Sequence, residues 1–159
     1  MILMTGPAGQ SFALNLSDGA IGLGSALFYL TMMASSMALR RVTGWLGHRR
    51  LVHVSSLLYS LYPFLTWMAH DATLFWVASL VGGAVWGLLN GSLVNRLMER
   101  VPEDDRPAHM ALHNLALNLG ILTGSLLGPA LASSFSIRGT MLGAGFFRLL
   151  GGVVLILGA

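Results

Sequence analysis

The residues able to do chemistry are few, and their placement excludes most kinds of it. The 159-residue chain has no cysteine, so disulfides, thiolate metal sites and cysteine nucleophiles are excluded. All six carboxylates, Asp18, Asp71, Glu99, Glu103, Asp104 and Asp105, lie at the ends of apolar runs. No acidic pair inside those runs is available for general acid–base work. His109 and His113 are four apart and fall on one helix face, but two ligands do not make a zinc site, and histidines facing each other at depth for haem are absent. Neither a metal nor another cofactor is implied. There is no G-x-S-x-G element, and the absence of lysine excludes a P-loop and ATP-driven work. The chain therefore does not read as an enzyme. Arg148 is the exceptional charge, near the middle of an apolar run. A central arginine there costs ~2.5–3.5 kcal/mol on insertion scales and is a functional hypothesis by default. With no acid on hand, snorkelling or pairing with helix carbonyls is its plainer role.

Neutral polar residues repeat at helical spacing. Asn114 and Asn118 are four apart, with Ser125 seven further on; Trp86 and Asn90 are four apart; Tyr29 and Ser36 are seven apart. Such sets can hydrogen-bond a solute, or neighbouring helices at ~0.6 kcal/mol each on average. Two glycine series share the same period: Gly83, Gly87 and Gly91, then Gly120, Gly124 and Gly128. Each lines one face and lets another backbone approach closely. Pro129, after Gly128, removes a backbone bond and reads as a kink or hinge.

Composition dictates what must carry these residues. Hydrophobic residues make up 55% of the chain and charged ones 9%, against ~25% charged in soluble domains, and mean hydropathy is +0.73. Too few charges remain to cover a water-exposed surface, so the fold class is all-α and the chain a polytopic membrane protein. Five apolar runs are long enough to span: residues 20–39, 51–69, 72–95, 110–132 and 139–158. They form one bundle over residues 18–159, and residues 1–17, uncharged but mixed before Asp18, read as an extracytoplasmic segment. All nine basic residues are arginines. They sit at run ends without interleaved aromatics, which argues against nucleic acid. Arg40, Arg41, Arg49, Arg50, Arg96, Arg100 and Arg106 fall in two loops on one side, and Arg138 alone on the other. This bias places the N-terminus outside and the C-terminus in the cytoplasm, in a cell membrane.

The order of these features resembles the C-terminal half of a major facilitator superfamily transporter. The stretch from Arg41 to Arg50, RVTGWLGHRR, resembles the family's cytoplasmic loop motif G-x-x-x-D-R-x-G-R-R. Gly47, Arg49 and Arg50 match its end, while Gly44 and Trp45 stand in place of the Asp-Arg pair. The stretch from Val101 to His109, followed by the glycine series ending in Gly128-Pro129, resembles the junction of helices ten and eleven. Ala132-Ser133 replaces the glycine pair of the antiporter motif, so antiport is not inferred. The resemblance covers about residues 18–159 as helices eight to twelve of a twelve-helix family built as two six-helix halves. It implies that Tyr29, Ser36, Trp86, Asn90, Asn114, Asn118 and Ser125 border a central cavity, and that Arg148 lies away from it.

The expected function is transport of a small solute by alternating access. On this reading the chain is an incomplete transporter that requires the missing N-terminal half or another membrane chain, within a lipid bilayer. The competing expectation is a small multi-pass interaction protein whose glycine faces bind another subunit. A transporter requires the polar faces of spans one, three and four to be wet; an interaction protein requires them dry.

Overall fold

The computed structural model describes residues 16–157. All of the regular structure described there is helical: α1 Asp18–Leu46, α2 His48–Met68, α3 Ala72–Arg100, a 3-10 turn Glu103–Asp105, and α4 Arg106–Leu157. Ser17 caps α1, its Oγ accepting from the Ala20 amide at 3.2 Å, and Asp71 caps α3 by accepting from the Leu74 amide at 2.8 Å. The rest of the expected N-terminal segment, residues 1–15, lies outside the described residues, as do 158 and 159.

The helices outrun the apolar stretches that signal them. The sequence reading places an eleven-residue arginine loop, residues 40–50, between the first two spans. In the structure α1 continues through Arg40 and Arg41 to Leu46, and α2 starts at His48. The reason is length. A 29-residue helix is roughly 44 Å long, against a hydrocarbon core of ~30 Å, so its charged end projects beyond the lipid without unwinding. The whole connection is Gly47, whose φ of 75° is left-handed backbone that glycine adopts without a Cβ clash.

Among the described residues, three helical stretches are long and apolar enough to cross a membrane: Asp18–Leu46, Ala72–Arg100 and Glu103–Leu157. That is fewer than the five spans read from the sequence, for two reasons. First, α2 is diluted by His48, Arg49, Arg50, His53 and a run of Ser and Tyr. Second, the last two apolar runs belong to one continuous stretch, α4, interrupted at Ser136 (φ 71°, ψ 157°). The 52 residues of α4 would be about 80 Å long if straight, far more than one crossing. Ser136 divides it into a first limb, 106–135, and a second limb, 137–157. Backbone dihedrals through Gly128-Pro129 are helical, so the break falls seven residues beyond the expected kink.

Packing is uneven. α1 lies parallel against α3, while α2 is antiparallel to both α3 and the second limb of α4. The interior is built from small residues: Ser55, Ser60, Ser79 and Ser92 are almost wholly buried, with Phe75 the largest buried side chain. Their hydroxyls bond mainly to carbonyls of their own helix, Ser60 to Leu57 at 2.6 Å and Ser92 to Leu89 at 2.9 Å. Ser55, Ser60 and Ser92 therefore act as small packing residues with satisfied polar atoms, whereas Ser79 Oγ is buried without a partner. The first limb of α4 is largely bare, with Leu115, Leu119, Leu122 and Leu126 all more than half exposed.

Candidate functional site

Arg148 is placed by glycines. Gly145, Arg148 and Gly152 share one face of the second limb (i, i+3, i+7). A Cβ on Gly145 would stand 2.8 Å from the Phe64 ring, and one on Gly152 would stand 3.5 Å from Ser56 Oγ and Leu57. The limb thus lies close against α2, and its arginine is carried into the α2 interface rather than out towards lipid. There its guanidinium carbon sits 4.3 Å from the centroid of the Tyr59 ring and 6.0 Å from that of Tyr62. Tyr59 in turn contacts Trp86 of α3 at 4.9 Å, and Tyr62 contacts Phe28 of α1 at 5.7 Å. One cation and four rings from all four helices form a continuous ladder. Tyr62 fits because Gly82 opposes it: a Cβ there would collide with the tyrosine ring.

This arrangement answers how the arginine is tolerated. Neither snorkelling nor carbonyl pairing accounts for it; the charge rests on an aromatic face, an interaction worth ~2 kcal/mol when desolvated. Its Nη1 is buried and has no hydrogen-bond partner. Tyr59 and Tyr62 were not legible as site residues. The signal that could have found them was the unpaired intramembrane arginine itself: without an acid, an aromatic pair at i, i+3 is the remaining partner.

The residues expected to border a cavity do not converge. Tyr29 is 63% exposed on α1, its ring edge-on to Phe28 at 5.8 Å. Ser36 is exposed and donates to the Met32 carbonyl at 2.7 Å. Trp86 is part of the aromatic ladder between α2 and α3, and Asn90 is half-buried on α3. Asn114, Asn118 and Ser125 stand exposed along the first limb of α4, with Asn118 Nδ2 donating to the Asn114 carbonyl at 2.7 Å.

The two glycine series meet opposite surroundings. Added Cβ atoms on Gly83 and Gly87 would collide with the Phe28 and Met32 carbonyls of α1, and one on Gly91 would collide with Leu39. Cβ atoms on Gly120, Gly124 and Gly128 would meet nothing within 4 Å.

Charge collects at one end of the bundle. His48 Nε2 lies 3.4 Å from Glu99, Arg96 lies 3.6 Å from the same carboxylate, and Arg106 lies 3.1 Å from Glu103. Arg49 and Arg50, which close the loop motif, are exposed beside Gly47. His109 Nδ1 pairs with the Asp105 carbonyl at 3.0 Å. Among the described residues no group of three or more potential ligands could hold a metal.

Long apolar helices, leucine-rich exposed flanks, a small-residue interior and charge gathered at one end define a multi-pass α-helical membrane protein. The pattern of the Major Facilitator Superfamily matches residues 1–159, the whole of the chain, and the protein belongs to that superfamily of transporters. No curated protein and no solved structure matches the chain.

Proposed function

We propose that the chain forms helices eight to twelve of a facilitator-type secondary transporter, which moves a small solute by alternating access about a central site. On this reading the chain crosses a cell membrane five times, with the break at Ser136 turning the fourth crossing into the fifth. The N-terminus is outside and the C-terminus in the cytoplasm. The observation that carries the proposal is the family match over the full length combined with the bare first limb of α4. That limb presents Asn114, Asn118 and Ser125 along one stripe and an open glycine stripe beside it, and the other helices of this chain leave both uncovered. A second helical bundle is the natural occupant of the facing side, with a wet cleft between. One bundle has only one wall of that cleft, so transport requires the missing half or another membrane chain.

The test uses the absence of cysteine. Single Asn118→Cys and Ser125→Cys variants, with Leu119→Cys as comparison, are expressed in native membranes and treated with a polar, membrane-impermeant maleimide. Labelling of Asn118→Cys and Ser125→Cys, but not of Leu119→Cys on the face turned away from them, is expected for a water-filled cleft. Protection of all positions refutes the cleft and leaves an interaction protein whose face is covered by a partner helix. An immunoblot with an antibody to residues 101–108, largely exposed here, reports whether the native product is more than twice the 16.9 kDa of this chain.

A further inference from the structure

A second feature lies away from the proposed cleft, at the arginine-rich end. There α2, α3 and the second limb of α4 leave a partly open cavity of about 270 Å³ between them. At ~30 Å³ per liquid water, that is room for about nine water molecules. Its polar wall is Arg49, His53, Arg96 and Arg100, and its apolar wall includes Leu93 and Leu155.

The polar wall carries positive charge that this chain does not fully answer. Glu99 is shared between Arg96 and His48. Arg49 makes no ion pair among the described residues and is exposed. His53 Nε2 is buried without a hydrogen-bond partner. A buried polar atom left unpaired costs ~1–3 kcal/mol, so such a group in a native structure calls for a ligand or water to complete it. Guanidinium groups converging on a small cavity suit a phosphate, which they bind through charge-assisted, often bidentate bonds. The apolar wall suits hydrocarbon. The cavity also opens at the ends of spanning helices, where lipid head groups reside and where basic pockets hold phospholipid phosphates.

We propose that this cavity binds a phosphate anion carried on a lipid: the head-group phosphate of an anionic phospholipid, seated among Arg49, His53, Arg96 and Arg100 with its acyl chain against Leu93 and Leu155. The lipid would tie the ends of α2, α3 and α4 together. The site makes no use of the polar stripe on the first limb, so its occupancy is separable from transport.

The experiment measures anisotropy of a fluorescent phosphatidylglycerol on the purified full chain in neutral detergent, with the matching phosphatidylcholine as comparison. Saturable binding of phosphatidylglycerol alone is expected. Arg49→Gln, which alters an exposed side chain and leaves the interior untouched, should weaken it by about tenfold or more, the effect of losing one charge-assisted bond. His53→Leu should weaken it to a similar degree. Arg41→Gln, which changes an arginine outside the cavity, should leave it unchanged. Equal affinity for the two lipids, or equal weakening by Arg41→Gln and Arg49→Gln, overturns the site in favour of diffuse attraction to a basic surface. Displacement by inorganic phosphate at concentrations equal to the lipid overturns the lipid assignment and gives the cavity to a soluble anion. Size-exclusion elution identical to the parent shows that each variant is folded, and if His53→Leu unfolds, Arg49→Gln decides alone.

Discussion

The sharpest test of the packing compares two glycines that look alike in sequence and differ in surroundings. Gly83 sits where α3 meets α1, and its Cβ, if it had one, would stand 2.8 Å from the Phe28 carbonyl carbon and closer still to the carbonyl oxygen. Carbon atoms pack best at ~3.5–4.0 Å, so Gly83→Ala forces α1 back by roughly 1 Å along this stretch. The obstacle is backbone, which cannot rotate aside. A gap of ~0.5–1 Å forfeits a quarter to a half of the dispersion energy across it, and overpacking of this kind costs about 1–3 kcal/mol. Taking the upper end because the clash is with backbone, and offsetting ~1 kcal/mol for alanine's better helix propensity, the net destabilisation is about 2 kcal/mol. Gly124→Ala meets open space, so only the propensity term acts and the change is neutral to ~1 kcal/mol stabilising.

The two variants should therefore differ by about 3 kcal/mol, a factor of roughly a hundred in the folding equilibrium. Titration with sodium dodecyl sulfate in mixed micelles, followed by circular dichroism and by the fluorescence of the four tryptophans, measures it. Midpoints for Gly83→Ala and Gly124→Ala that coincide would refute the close α1–α3 approach as a source of stability. The same pair has a second readout in the assembled transporter. There Gly124→Leu, harmless to the folding of this chain, should abolish uptake by blocking the approach of whatever covers the first limb.

Other expectations follow from the same geometry. Tyr59→Leu removes the ring beneath a half-buried guanidinium and should cost about 1–2 kcal/mol in the same titration, whereas Arg148→Leu removes the charge as well and should be neutral or stabilising; a larger loss for Arg148→Leu would refute the ladder. Transport should survive Arg148→Leu, and lost uptake by folded protein would make the arginine functional. Gly47→Ala places a Cβ at φ 75°, ψ 155°, a region essentially confined to glycine, and should cost about 1–3 kcal/mol in the same titration. Trp76→Phe deletes the indole bond to the Ala20 carbonyl, 2.9 Å long, and should cost ~1 kcal/mol.

What was legible in the sequence follows from what a residue needs in order to be read. Gly83, Gly87 and Gly91 were readable as a packing face because four-residue spacing has one geometric meaning on a helix. Gly120, Gly124 and Gly128 have identical spacing and no neighbour, since spacing describes one helix and packing requires two. Helix ends were misread for a different reason. Apolar runs mark where lipid is, not where hydrogen bonding stops, so Arg40, Arg41, Arg96 and Arg100 extend helices instead of ending them. Gly47 was legible as part of a loop motif, but not as the entire turn. Ser136 falls in the gap between the runs 110–132 and 139–158, but that a single residue makes the break was not legible, because neither glycine nor proline marks it and a serine at positive φ is uncommon. The partner of Arg148 was hidden because tyrosines in a polar-diluted helix read as filler until an uncompensated cation is placed over them.

The contrast between the two glycine faces also constrains how the chain behaves in a membrane. Lipid tails are as apolar as leucine, so a leucine-rich flank such as that of α1 gains nothing by being covered. A stripe of glycines beside asparagines is different. It offers lipid a poor fit, and its exposed backbone can be matched closely only by another helix, while Asn114 and Asn118 hydrogen-bond better to water or to protein than to hydrocarbon. Both features lie on the first limb of α4, and the remaining helices satisfy neither. α1, α2, α3 and the second limb already hold their own small-residue interior and, against the Tyr59 ring, the half-buried Arg148. Of the two bare helices, α1 and the first limb of α4, only the limb joins open glycines to exposed asparagines, and on the proposed function it is the limb that a facing bundle would cover.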